Sequence, residues 1–222
     1  LLFSRYGDFR RLLSHPLLKK GGVFLLFLFC LAGSMQAQKK LLPALKRVQA
    51  DSLAQEQVIY HDRVVPFNTL ARDFIQKLTG KASYKGLTPE QVIGGWLLYP
   101  EVWRNEPLIY IKNTELQHLL NLQTPYARLT DLFDGPVYRL QKTWQQEQGK
   151  GSKLAKAIQE TDEKVGLILM LEKGTFIQPL PTDGSVQPLS ELEIKAELLY
   201  NRIPFSKILF MINLSLGVLS FL

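Results

Sequence analysis

The sequence has little of the side-chain chemistry that most catalytic and metal-binding sites use. It contains one cysteine, Cys30, and three histidines. A single cysteine excludes an internal disulfide and any Cys-x-x-Cys metal or haem-attachment site. Cys30 lies within an apolar run and comes before the small residues Ala32 and Gly33, not after them as in a lipid-attachment motif. It is therefore interpreted as a small hydrophobic residue.

Recognisable catalytic motifs are also missing. The chain has no Ser-His-Asp order, no metal-ligand motif and no glycine-rich phosphate loop. The paired acids Asp162-Glu163 and Glu191/Glu193 lie on predicted helices, where they indicate solvated faces. A hydrolase therefore has no residues to support it, and no metal site is expected.

Positive charge is concentrated at one end of the chain. The net charge is +7, and seven basic residues against one acidic residue precede Leu41, so the remainder is close to neutral. The basic residues flank an apolar segment instead of forming a patch on a folded surface. This arrangement favours orientation in a membrane over binding of phosphate groups, and nucleic acid is not expected as a partner.

Residues 21–38 form an uncharged segment with two possible interpretations. Its length of about 18 residues suits a short transmembrane helix, and its small residues near Ala37 suit a signal-like segment. Signal peptides normally follow only a short basic region, whereas residues 1–20 form a longer basic flank. The sequence favours a transmembrane helix, with residues 1–20 in the cytoplasm.

A second apolar stretch follows Pro204, and its residues 208–222 carry no charge. Residues 205–222 are interpreted as the start of a truncated transmembrane helix. A chain that begins without Met and stops inside such a segment is expected to be a fragment. Residues 39–204 are then predicted to form an extracytoplasmic, periplasmic domain between two transmembrane helices of the inner membrane, because long loops are translocated readily.

The most specific local pattern lies in Gln57–Leu78. Val58, Tyr60 and residues 64–67 are mostly β-branched or aromatic, which favours a strand. Pro66 excludes a helix that would run through it. The stretch is therefore predicted to contain a short strand that leads into a helix.

The predicted helix has both of its ends marked. Asn68 and Thr69 are predicted to cap its start, and Gly80 is predicted to end it. Between them the apolar residues repeat at helical spacing and define one buried face: Leu70, Ala71, Phe74, Ile75 and Leu78.

The rest of the domain shows mainly helical signals. Thr88-Pro89 and Ser190-Glu-Leu-Glu193 are helix starts, and Asn113 or Thr114 caps another helix. Gly94-Gly95 indicates a close backbone approach. The predicted fold is mainly α with a small β element, and its other parts are an amphipathic helix over 41–57 with Leu42, Leu45, Val48 and Leu53 on one face, a strand over 108–111, a helical hairpin over 137–171 with its tip at 149–152, and a surface loop over 174–188.

The central stretch resembles a known family. The run Arg63-Val-Val-Pro66-Phe-Asn68-Thr69-Leu-Ala71 is similar to the R-x-x-P-x-[ND]-T-x-A segment of the fused cytochrome c synthases, the large membrane proteins that assemble c-type cytochromes by the system II route. The family usually has glycine just before the arginine, where this chain has Asp62. The resemblance covers roughly residues 50–113, because further residues follow in the same order and spacing: Lys77, Tyr84, Gly86, Leu87, Gln91, Val92, Trp103 and 107–112.

The resemblance implies a membrane protein of cytochrome c biogenesis that exports haem and promotes its covalent attachment to apocytochrome c. The implied partners are haem, apocytochrome c, the membrane, and the rest of the same polypeptide or a partner subunit. The family's tryptophan-rich haem signature is absent, because Trp96, Trp103 and Trp144 are scattered and suit packing. Haem is thus implied for the full protein and is not expected to be bound by this fragment, and the catalytic residues are not expected here.

Candidate site residues are few. Neutral imidazole is the usual axial ligand of haem iron, and His61, beside the motif, is the best placed histidine, whereas His15 and His118 are expected to be solvated. Arg63 can bind a haem propionate or an internal carboxylate, and the internal partner is favoured. The motif residues Arg63, Pro66, Asn68, Thr69 and Ala71 are expected to serve architecture. The alternative function is a non-catalytic, membrane-anchored binding or scaffold domain.

Overall fold

Residues 42–203 and 211–213 are described here from a computed structural model, and they form mainly α-helices with three small β-sheets. The predicted fold class, mainly α with a small β element, is confirmed. The helices are α1 Arg47–Leu53, α2 Phe67–Thr79, α3 Pro89–Leu98, α4 Pro100–Trp103, α5 Thr114–Leu119, α6 Leu140–Glu147, α7 Lys153–Glu172 and α8 Glu191–Arg202, with a 3-10 turn at Thr130–Leu132.

The strands are short and all pairings are antiparallel. They are β1 Gln57–Tyr60, β2 Arg63–Pro66, β3 Ile109–Tyr110, β4 Tyr126–Ala127, β5 Phe133–Asp134, β6 Val137–Tyr138 and β7 Gln178–Pro179. One sheet has the order β2-β1-β7, and the other two are the pairs β3-β4 and β5-β6.

Helix α2 lies at the centre of the core. Its five predicted apolar residues are at most 1% exposed, and Gln76 and Lys77 on the opposite side are exposed. Gly80 ends the helix in the left-handed conformation with φ 73°, which glycine adopts without steric cost. Helices α3 and α7 pack against α2. The predicted buried face and the predicted helix end are both confirmed.

The predicted single strand is a hairpin. Strands β1 and β2 pair in register from Gln57 opposite Pro66 to Tyr60 opposite Arg63. The turn between them consists of His61 and Asp62, both left-handed with φ 50° and 58°. Asp62 stands where the resembling family has glycine, the residue that this backbone conformation favours most. The hairpin thus places Asp62, a non-glycine residue, in a left-handed conformation.

The predicted capping role of Asn68 and Thr69 is wrong. Helix α2 begins at Phe67, and Pro66 precedes it without a side-chain cap. The first amides of the helix are satisfied by backbone carbonyls instead: Phe67 N donates to Glu56 O at 2.6 Å, and Asn68 N donates to Ala54 O at 3.2 Å. Because the preceding chain supplies these acceptors, the side chains of Asn68 and Thr69 are available for other partners.

The predicted helix over 41–57 is also too long. The observed helix α1 has seven residues, and Val48 is 78% exposed. Residues 42–46 have no regular secondary structure. Side chains from elsewhere bind two of their carbonyls: Trp103 Nε1 donates to Pro43 O at 2.9 Å, and Gln91 Nε2 donates to Leu45 O at 2.9 Å. The segment is therefore fastened to α3 and α4 as an irregular strap.

Most local helix signals were predicted correctly. Thr88 and Ser190 form capping boxes, and Asn113, not Thr114, caps α5 by accepting from Leu116 N at 2.9 Å. The helical hairpin is formed by α6 and α7. The predicted loop over 174–188 contains one element that the sequence did not reveal, strand β7, which pairs with β1.

The two glycines of α3 allow a close approach, as predicted. A Cβ on Gly95 would lie 2.8 Å from Pro43 O and 2.7 Å from Trp103 Nε1. We expect Gly95→Ala to lower the free energy of unfolding by about 2 kcal/mol, because overpacking displaces the strap. Gly166→Ala is the control, since nothing lies within 4 Å of its added Cβ, and it should stabilise the chain by about 0.5–1 kcal/mol. Equal effects of the two variants in chemical denaturation would contradict the proposed close packing.

Among residues 42–203 and 211–213, no helix has the length and apolar character needed to cross a membrane. The predicted transmembrane segment over 21–38 lies outside the described residues, as do His15 and Cys30. The predicted segment over 205–222 also lies outside them, except for residues 211–213.

Candidate functional site

The polar residues of the motif meet the last described helix, α8. Six side chains from β2, α2, α3 and α8 form a connected group, which we call the motif cluster: Arg63, Asn68, Thr69, Glu90, Glu197 and Asn201. Residues separated by more than 120 positions in the chain are thereby joined.

Glu197 is the acceptor at the centre of the motif cluster. Arg63 donates to both of its carboxylate oxygens, at 3.2 and 3.5 Å, and the Thr69 hydroxyl donates to Oε1 at 2.8 Å. The side chain of Glu197 is 20% exposed, whereas that of Arg63 is 58% exposed. The hydrogen bond from Thr69 is therefore the more shielded contact, and the exposed ion pair contributes less.

Asn201 adds a second contact one helical turn further along α8. Its amide nitrogen donates to Asn68 Oδ1 at 3.0 Å and to Thr69 Oγ1 at 2.9 Å. The Asn68 amide nitrogen in turn donates to the carboxylate of Glu90, which is 3% exposed. Asn68 thus links α8 to α3 through one side chain.

Helix α8 depends on these polar contacts. No residue of α8 is buried, although the helix contacts α2 and β2. Its approach is fixed by Gln57, whose side chain donates to Leu189 O at 3.3 Å and accepts from Leu189 N at 2.6 Å. Because little apolar surface is buried by α8, hydrogen bonds determine its position.

The remaining motif residues are packing residues. Pro66 is buried beside the start of α2, and Ala71 is 0% exposed within the core. Arg63 contacts Glu197, an internal carboxylate, which is the kind of partner that the sequence favours over a haem propionate. The two carboxylates of the motif cluster, Glu90 and Glu197, both accept hydrogen bonds from other side chains of the cluster. This arrangement suits a role in holding helices together.

His61 lies apart from the motif cluster, at the tip of the hairpin. Its ring contacts Tyr60 at 4.1 Å between centroids. Both residues line a groove of about 480 Å³ that also includes Phe74, Met170 and Phe176. Asp73 lies on the same groove, and its pKa is raised by burial, an effect that the positive charges near it only partly offset.

The described residues of this groove do not fit a bound haem. A haem site needs an axial ligand, an apolar slot and cations for the propionates. His61 and the aromatic side chains supply the first two. Lys77, the lysine that lines the groove, is paired with Glu163 at 2.8 Å, and the carboxylates of Glu163 and Asp73 would repel propionates.

The remaining histidine and tryptophan residues do not lie together in one site. His118 is exposed on α5, whereas Trp96 and Trp103 are fully buried and Trp144 packs against the core. In the described part of the chain, no group of three or more His, Cys, Asp or Glu side chains is arranged to hold a metal ion.

The downstream residues of the resemblance also make structural contacts. The Tyr84 hydroxyl donates to Glu106 Oε1 at 2.6 Å and also lies 3.0 Å from Pro107 O. Together with the bonds from Gln91 and Trp103 to the strap, these contacts hold the segments before and after α3 and α4 in place. The downstream residues of the resemblance therefore stabilise the fold of this domain.

Sequence reasoning missed a second polar centre, formed by Arg104, Glu172 and Trp96. Arg104 donates to both carboxylate oxygens of Glu172 at 2.9 Å, and Trp96 Nε1 donates to Oε1 at 3.0 Å. Glu172 is the last residue of α7 and lies 68 positions from Arg104. No local signal links such distant residues.

The fold and the motif cluster define a mainly helical domain whose polar motif fastens its last described helix. The chain matches no protein-family model. It is similar to Protein NrfI of Wolinella succinogenes, with 33% identity over 129 residues. This alignment covers 54% of the chain and 14% of the relative, so the chain spans only a small part of the length of the protein it matches. The likeness supports a connection with cytochrome c biogenesis.

Proposed function

We propose that this chain is the extracytoplasmic domain of a membrane protein of cytochrome c biogenesis. In this proposal the whole protein exports haem and attaches it covalently to apocytochrome c. The domain itself is non-catalytic and holds the membrane segments in position. Its expected surroundings are the inner membrane and the periplasm, and its expected partners are the remaining polypeptide and apocytochrome c.

The observation that carries the proposal is the engagement of the motif with α8. Thr69 and Asn68 bind Glu197 and Asn201, and α8 ends at Arg202, immediately before the segment predicted to enter the membrane. A motif used in this way transmits the position of the core to that segment. Its polar side chains are occupied by each other, which favours architecture over chemistry.

The first described residues of the domain also support a position next to the membrane. The strap at Pro43 follows the predicted membrane segment 21–38 and is fixed to Trp103. Beside it, the ends of α3 and α4 expose four apolar side chains, each 42–57% exposed: Leu97, Leu98, Tyr99 and Val102. Apolar and tyrosine side chains of this kind suit the interface of a bilayer.

The proposal is tested in cells that lack the gene product containing this chain. Such cells should lose covalently bound haem from their c-type cytochromes, detected by haem staining after denaturing electrophoresis, and the unmodified gene should restore it. An alkaline phosphatase inserted after Gly149, at the exposed tip of the α6–α7 hairpin, should be enzymatically active, because the domain is placed outside the cytoplasm.

Two outcomes would overturn the proposal. Normal covalent haem in the deletion cells would remove the role in cytochrome c maturation. Activity only from a cytoplasmic reporter at position 149 would reverse the topology. A reporter inserted within residues 1–20 is the matched control and should show the opposite compartment.

A further inference from the structure

We propose that a groove between α7 and residues 110–114 binds a small anion carrying a phosphate or carboxylate group. This basic groove is separate from the motif cluster and from the groove at His61, and the inference goes beyond the proposed function. Its charged lining residues are Lys112, Lys153, Lys156, Lys164 and Glu160.

The basic groove has the size and the charge for such a ligand. Its volume is about 340 Å³, within the range of small-molecule sites. Four of its lining side chains are lysines and one is a glutamate. Tyr110 and Ala157 provide an apolar part of the wall. The lining therefore suits an anion with a small organic group more than a neutral molecule.

Three of the lysines and the glutamate lie on one stripe of α7. Lys153, Lys156, Glu160 and Lys164 are spaced by three or four residues, so they follow one face of this 20-residue helix. Lys153 is its first residue, and the helix dipole at this end also favours negative charge. The fourth lysine, Lys112, comes from the segment after β3 on the opposite wall.

Lys164 is the observation that points to a ligand. It is 8% exposed, and its Nζ donates to Tyr110 O at 2.5 Å and lies 5.9 Å from the Tyr110 ring centroid. Within residues 42–203 and 211–213, no carboxylate lies within ion-pairing distance of this ammonium group. A buried ammonium group whose direct contacts are a carbonyl and a ring has its charge only partly balanced by the more distant carboxylates of Glu160 and Glu163.

The electrostatic surroundings agree with a missing negative charge. Burial lowers the pKa of Lys164, and Lys77 also lowers it, while Glu160 and Glu163 raise it but not enough to restore the ordinary value. Bringing an anion into the groove would favour the charged form of Lys164. It would also relieve repulsion among the four lysines.

The experiment measures binding of inorganic phosphate and of succinate to the purified 222-residue chain in detergent, by titration calorimetry in a chloride buffer. At least one anion should bind with a Kd of about 1 mM or tighter. The double variant Lys112→Gln/Lys156→Gln and the single variant Lys164→Met should each weaken binding about tenfold or more. Lys142→Gln, an exposed lysine on α6 outside the basic groove, should leave the affinity unchanged.

A second experiment distinguishes a lipid headgroup from a free anion as the natural ligand. The chain is placed in nanodiscs of zwitterionic lipid, with or without phosphatidylglycerol, and titrated again with phosphate. Weaker phosphate binding in the anionic discs would identify a lipid headgroup as the occupant, and unchanged binding would identify a free anion. The double variant lies at exposed positions, so it reports on binding even if Lys164→Met does not fold. Absence of binding by both anions, or equal losses in Lys142→Gln and the double variant, would overturn the proposal.

Discussion

Changing Glu197 to alanine should release α8 from the core and, under the proposed function, strongly reduce covalent haem in c-type cytochromes. The variant loses the acceptor of Thr69 and Arg63 and leaves the partly buried Thr69 hydroxyl without its carboxylate. We expect the free energy of unfolding to fall by about 3 kcal/mol, since hydrogen bonds to a charged acceptor contribute more than neutral ones. Amide hydrogen exchange should increase first in α8, because no residue of this helix is buried.

Glu191→Ala is the matched control for this result. Glu191 lies on the same helix, but its side chain is 83% exposed and forms an ion pair with Lys195 within α8 itself. Its removal should change the free energy of unfolding by less than about 0.5 kcal/mol and leave cytochrome maturation intact. If Glu197→Ala kept normal exchange in α8 while maturation failed, the motif cluster would have a binding role instead of a fastening one.

Local signals in the sequence were sufficient for much of the fold. The helical spacing from Leu70 to Leu78 identified the buried face of α2, and Gly80 identified its end. The capping boxes at Thr88 and Ser190 depend on residues three positions apart, so they are visible without any tertiary information. These features could be predicted because their energetics are contained within one or two helical turns.

Contacts between distant segments could not be predicted in the same way. Strand β7 is a pair of residues, Gln178 and Pro179, whose extended shape depends on pairing with β1. The capping role of Asn68 was predicted wrongly for the same reason, because it depends on a contact with a distant residue. The backbone amide of Asn68 donates to the carbonyl of Ala54, which lies in the turn after α1. Polar residues at a helix start favour capping only when no backbone acceptor is already in place.

The candidate site shows the same division between local and distant information. The sequence singled out Arg63, Asn68 and Thr69, but their partners Glu197 and Asn201 lie 128–134 positions away. The pattern E-x-x-x-N on α8 places both partners on one helix face. That spacing is common on solvated helices, so by itself it does not identify a partner of the motif.

Changing Glu172 to alanine should lower the free energy of unfolding by about 3 kcal/mol, because it removes the acceptor of a fully buried indole. Trp96 is 0% exposed, and its Nε1 has Glu172 as its hydrogen-bond partner. The side chain of Arg104 is 39% exposed, so its guanidinium group can be hydrated after the change, and most of the loss is assigned to Trp96. Glu101→Ala is the control, because Glu101 binds the same guanidinium group at 3.1 Å and is 82% exposed.

The pH dependence of stability distinguishes this interpretation from simple loss of packing. Burial by itself raises the pKa of Glu172, but the hydrogen bonds from Arg104 and Trp96 outweigh it and hold the pKa below its ordinary value of 4.5. A carboxyl whose pKa is lower in the folded chain binds protons more readily when unfolded, so its stabilisation is present above pH 4.5 and is lost as the pH falls through the folded pKa. The variant Glu172→Gln should therefore show a shallower loss of stability in acid than the wild type, whereas Glu101→Gln should follow the wild-type curve. Parallel curves for Glu172→Gln and the wild type below pH 4.5 would show that the charge of Glu172 does not stabilise the fold.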